Sequence, residues 1–124
     1  MTTPSPQNML EYLEQACQQV QHFESNAQQA LTAGNVDEYR ALMLQKAQFL
    51  AHLDSKSQKY CEELPKALRA KLNAGLRRFS ASATNALAVN SVFYMSALLY
   101  PEDYVQGTPN DLVLFTNALR QSWL

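Results

Sequence analysis

From Met9 onward, apolar residues recur in alternating steps of four and three: Met9, Leu13, Ala16, Val20, Phe23, Ala27 and Ala30. This is the heptad spacing of a helix packed along a straight seam, with Leu10, Cys17 and Leu31 widening the stripe and a glutamine-rich face opposite. Ser5 and Pro6 supply an N-cap and a first-turn proline. Gly34 supplies the left-handed residue at which the helix stops. Asn35 then caps a second helix, and Glu38 is placed to bond back to the cap's own amide. The same step continues through Val36, Tyr39, Met43, Lys46, Leu50, Leu53, Ser57 and Tyr60, beside Leu42 and Phe49. The two segments are therefore predicted to form an antiparallel hairpin. Lys46 falls inside the seam and is expected to snorkel, its stem among apolar groups and its ammonium at the rim.

Glu62 and Glu63 precede Leu64 and Pro65, so negative charge stands where a third helix would begin. Leu68, Leu72, Leu76, Phe79, Ala83, Ala86, Asn90, Phe93 and Ala97 then give one inner face. The pattern predicts a single uninterrupted helix from Pro65 to Tyr100, with Gly75, Ser80, Ala81, Ser82 and Ala83 allowing close approach of a neighbour. Gly75 within it costs about 1 kcal/mol against alanine, which points to a packing reason or a weak point. At the helical rise this helix would outrun its partners by roughly one or two turns. The overrun is Val92 to Tyr100, apolar on every side, and such a surface is buried in its own protein or waits for a partner.

A connector, PEDYVQGTPND, follows, and Thr108, Pro109 and Asp111 form a start signal of the cap, proline, acid type. Leu112, Val113, Leu114, Phe115, Leu119 and Trp123 give a short amphipathic helix. Two arrangements fit it: a docked fourth helix covering the overrun, or a mobile segment that receives a partner together with the overrun.

Charge refines this picture. The formal net charge is −1, unlike the strongly basic balance of a nucleic-acid-binding domain. The early charges are Glu11, Glu14 and Glu24, whereas Lys66, Arg69, Lys71, Arg77 and Arg78 are all basic, so neighbouring helices of opposite sign are expected. The opening MTTPSPQNMLEYLEQA has neither a basic n-region nor an apolar h-region. The most apolar run, Ala86 to Tyr100, is broken by Asn90, Ser91 and Ser96 and is shorter than the ~20 residues of a spanning helix. Two cysteines do not make a secreted disulfide framework. The expected compartment is the cytoplasm, without stable membrane insertion.

Pairing about Gly34 and Asn35 puts residues whose numbers sum to about 69 at one height. Cys17 then stands level with His52, and Cys61 near residue 8, ~13 Å from Cys17 along the helix, too far for a disulfide. Cys17 with His52 suggests a metal or a nucleophile, but no carboxylate is fixed nearby, so packing and surface roles are expected. The chain has no phosphate loop, HExxH or CxxC, and no Ser, His and acid set that the layout unites. No enzyme, cofactor or metal is expected.

The stretch DEYRALMLQKAQFLAHL, a leucine-rich stripe followed by a lysine on a long hairpin, resembles the FlgN-type flagellar export chaperones. Asn85 and Asn90 in SATNALAVNSVFY are similar to asparagines that family carries in its third helix, and Tyr104 and Gly107 to residues before its mobile end. The resemblance implies a cytoplasmic helical protein that binds helical terminal segments of hook-associated proteins and keeps them unassembled for type III export. By position it implies a client-binding set of Leu112, Val113, Leu114, Phe115, Leu119 and Trp123, with Val92, Phe93 and Leu98 of the overrun as a second contact.

The fold expected is all-α: an antiparallel bundle of three long helices with a short C-terminal helix, in one domain over residues 1–124. Residues 101–124 would be a connector and tail. The function expected is non-enzymatic binding of a helical client segment. The alternative is a coiled-coil adaptor or self-associating structural protein, a homodimer in which two overruns cover each other.

Overall fold

A computed structural model describes residues 6–123, with side chains from 7 to 121. The Ser5 cap and the Trp123 side chain lie outside the described residues. The chain is an all-α antiparallel bundle: α1 (Pro6–Thr32), α2 (Val36–Ala51), α3 (Leu53–Cys61), α4 (Lys66–Ala88), α5 (Val92–Ala97) and α6 (Asp111–Trp123). Among the described residues there is no strand, and no helix is long and apolar enough to cross a membrane.

The hairpin of α1 with α2 and α3 follows the seam read from the sequence. Met9, Leu13, Ala16, Val20, Ala27 and Ala30 are buried on one side, Met43, Leu50, Leu53 and Ser57 on the other. Tyr12 meets Tyr60, Phe23 meets Phe49, Glu24 meets Lys46 and Asn8 meets Glu63, pairs whose numbers sum to about 71. The turn between them is a Schellman cap. Gly34 takes φ +80°, its N–H bonds the Leu31 carbonyl, and the Asn35 N–H bonds the Ala30 carbonyl. The Asn35 side chain accepts from the Glu38 amide as expected. Its own amide is satisfied by Ala30, not by the Glu38 carboxylate.

Two predicted helices are each divided. The second breaks at His52, where Ser80 of α4 inserts its hydroxyl between the groups that would otherwise bond each other. Ser80 Oγ donates to the Leu50 carbonyl at 2.9 Å and accepts from the Asp54 N–H at 3.0 Å. A side chain entering the i→i−4 ladder bends a helix, and Ser80 does so while leaving neither group unpaired.

The third does not run to Tyr100. Asn90 adopts φ +52°; its N–H bonds the Leu87 carbonyl and the Ser91 N–H bonds the Ala86 carbonyl. This is the same Schellman geometry as at Gly34, with asparagine in the left-handed position it tolerates better than other side chains. Ser91 at once caps α5, its hydroxyl accepting from the Tyr94 N–H at 3.1 Å. The expected overrun is therefore a short helix folded back on α2, where Met95 is buried. Asn90 and Phe93, counted on the inner face by periodicity, are exposed.

α6 lies against α1 and reaches α4 through Phe115. Its cap is Asn110, whose side chain accepts from the Val113 N–H at 3.0 Å, not Thr108, whose hydroxyl bonds back to the Val105 carbonyl. Leu112, Thr116 and Leu119 are buried against α1. Thr116 Oγ1 lies 3.4 Å from Cys17 Sγ, and Arg120 pairs with Glu14 at 2.7 Å. Gly75 has a packing reason: a Cβ there would stand 2.3 Å from the Phe115 ring, which meets Phe79 edge-on.

The expected complementarity of α1 and α4 is replaced by other pairings. Glu14 goes to α6 and Glu24 to α2. Arg69 turns to the Glu62 and Leu64 carbonyls before its own helix, and no ion pair engages Lys66, Lys71, Arg77 or Arg78 among the described residues.

Candidate partner-binding groove

The wall of the groove is set by a buried lysine. Lys46 is 0 % exposed, so it does not snorkel. Its ammonium is held by Glu24 Oε2 at 3.0 Å and donates to the carbonyls of Ser96 and Leu98 at 3.2 and 3.1 Å. Those carbonyls end α5, where the helix dipole places negative charge. The ring of Tyr100 lies 5.2 Å from the ammonium, and the Tyr100 hydroxyl donates to Glu24 Oε1 at 2.7 Å. Burial pulls the Lys46 pKa below its ordinary value, opposed by Glu24. Burial first, and then the hydrogen bond to Glu24, raise that of Tyr100. A charge this deep is tolerated only when paired and fully hydrogen-bonded. Here that requirement draws residues 96–100 onto the hairpin, and Leu99 takes φ +77° within the turn. The Asp111 N–H then bonds the Leu99 carbonyl at 3.0 Å, fixing the start of α6.

The pinned segment leaves a groove between itself and α4. Ser82, Asn85, Ala86 and Val89 form the α4 side, Tyr94 and Ala97 the α5 side, and Leu98 to Pro101 with Asp111 the far wall, around about 470 Å³. Ser82 and Asp111 also line the adjoining depression, with Arg78, Phe79, Leu114 and Phe115. The two hollows thus adjoin along α4. Large apolar side chains stand open around them: Val89 is 63 % exposed, Tyr94 58 % and Leu114 52 %, and Phe93, 74 % exposed, meets Tyr94 edge-on.

The sequence-predicted contact residues divide in this arrangement. Leu112, Leu119 and Leu98 are buried in the protein's own core; Val92, Val113 and Phe115 are half-buried. Phe93 and Leu114 are free to meet a partner, and the Trp123 side chain is not among those described. Val89, Ser82 and Asn85 were not singled out as contacts. Their signal is the Asn90 and Ser91 stop-and-start pair, which ends α4 and leaves its last turns uncovered. Cys17 faces Thr116, where burial raises its thiol pKa, and His52 is exposed at the α2 to α3 break. Among the described residues no cluster of three or more His, Cys, Asp or Glu side chains is arranged to hold a metal ion.

Comparison of the chain with protein-family models, with curated proteins and with solved structures gives no match.

Proposed function

We propose that this is a non-enzymatic helical binding protein, a cytoplasmic chaperone whose groove along α4 receives a helical segment of a client protein. The client class suggested by the sequence resemblance is the hook-associated export substrates of the flagellum. The observation that supports this reading is the grouping of Val89, Tyr94 and Leu114, all more than half exposed, around two adjoining hollows along α4, with Phe93, also exposed, against the Tyr94 ring. Exposed apolar patches of this kind mark interaction sites, and an amphipathic helix is the occupant whose shape suits a groove between helices. Aromatic anchors carry much of the energy of such contacts.

Titrating a labelled peptide of a hook-associated protein's terminal helix tests the proposal. Phe93→Asp, on an exposed side chain, is expected to weaken binding about 30-fold, the equivalent of ~2 kcal/mol, with an unchanged thermal midpoint. Equal affinity of wild type and variant would sink it. Removal of α6 is a poorer test, because Leu112 and Leu119 belong to the core. Self-association through the same patch is the competing reading. It predicts a dimer in sedimentation equilibrium that Phe93→Asp dissociates.

A further inference from the structure

The groove is asymmetric in charge, and this specifies its occupant further. Arg78, Ser82, Asn85 and Val89 follow one another at intervals of four, three and four on α4, one face of a helix. Small Ser82 leaves room for a helix to lie close. At the helical rise the face spans ~16 Å, about three turns of an occupant. Its Val89 end is apolar, bordered by Tyr94 and by Leu98 and Leu99. Its other end is lined by Arg78, with Arg77 beside it on the helix but outside the lining; both are exposed, and neither carries an ion pair among the described residues. α4 contains no acid along its whole length. Asp111 lines the groove between the two ends, but it stands in the first turn of α6, where the helix dipole favours its charge, and it forms no ion pair with Arg78.

We infer that the partner helix is amphipathic with a terminal acidic turn, its apolar side chains between Val89, Tyr94 and Leu114 and its carboxylates over Arg78, with Arg77 at the edge. This rests on the groove being a helix-binding site and adds the orientation and charge of what it binds. Two exposed arginines supply direction and selectivity more than affinity. The apolar end of the groove favours a peptide over a nucleic acid, which would need cations throughout.

Three fluorescein-labelled helical peptides of one length test the inference by anisotropy. Each has leucines at i, i+4 and i+7 on one face and two glutamates, two glutamines or two lysines in the terminal turn beyond them. At ~0.1 M salt the glutamate peptide is expected to bind about tenfold tighter than the lysine peptide. Arg78→Glu, on an exposed side chain, should erase or reverse that order, and Phe93→Asp should weaken all three peptides. Equal binding of the three to wild type overturns the charge assignment and leaves the groove standing. Binding of none overturns both. A labelled single-stranded oligonucleotide that binds more tightly than the glutamate peptide, and is lost with Arg78→Glu, also overturns the inference in favour of a nucleic-acid surface.

Discussion

Replacing Lys46 by methionine removes the ammonium while keeping a stem of similar length, so packing changes little and the electrostatics change completely. Two carbonyls, those of Ser96 and Leu98, lose their side-chain donor, and the Glu24 carboxylate retains only the Tyr100 hydroxyl. Breaking a buried pair by removing one partner costs about 3–5 kcal/mol. Glu24 is 24 % exposed and can recover some hydration, which places the expected loss near 3 kcal/mol. Against a total stability of ~5–15 kcal/mol for a domain of this kind, this is a large fraction. With a urea dependence of ~1.5 kcal/mol/M, the unfolding midpoint followed by far-UV circular dichroism should fall by about 2 M. Lys46→Met with Glu24→Gln removes the orphaned carboxylate and should recover ~1 kcal/mol or more relative to Lys46→Met alone. A single variant within ~0.5 kcal/mol of wild type would refute the reasoning, as would a double variant costing the sum of the two singles.

Tyr100→Phe tests the other end of the same network through pH. The Tyr100 pKa is raised on folding from 10.0, so the folded protein holds its proton longer than the unfolded chain. Its stabilising contribution is present below pH ~10 and declines as pH rises beyond that. Lys46 has the opposite sign: its lowered pKa makes stability increase as pH rises toward the ordinary value of 10.5. Tyr100→Phe should therefore flatten the alkaline loss of stability in denaturation series above pH 10; an unchanged slope would count against the assignment. For Gly75→Ala, a helix-propensity gain of ~1 kcal/mol meets an overpacking cost of ~1–3 kcal/mol at the Phe115 ring. The expected net effect is a loss of up to ~2 kcal/mol, with faster amide exchange in α6 and relief by Phe115→Ala. Stabilisation by Gly75→Ala would show that the ring moves aside freely.

The hairpin was legible because its signals are local and agree with one another. The step of three and four, the glycine at position 34 and the capping Asn35 each specify the same turn. Asn90 and Ser91 carry the same kind of stop and start, but the apolar period runs through them in the sequence, and asparagine accepts helical as well as left-handed φ. What decides between those states is tertiary: the turn lets Met95 reach the core and presents the α5 carbonyls to Lys46. The break at His52 was illegible for a related reason, since its cause is a serine on another helix. The candidate surface was legible as a region, from Val92 to Tyr100. Its membership was legible only in part: Phe93 is exposed as the sequence reading requires, whereas a helix folded back buries Leu98 and, by ending α4 early, exposes Val89 before the region.

The Lys46 ammonium meets carbonyls that stand 50 and 52 positions later in the chain, and this separation orders events in time. The hairpin closes through a short turn and can form early, with Lys46 still hydrated. Its ammonium loses water only when residues 92–100 arrive, so desolvation and its compensation fall late on the folding route. Changes at Lys46 therefore act mainly on the rate of unfolding and little on the rate of folding. Residues 92–100 are correspondingly expected to exchange their amides faster than the hairpin does.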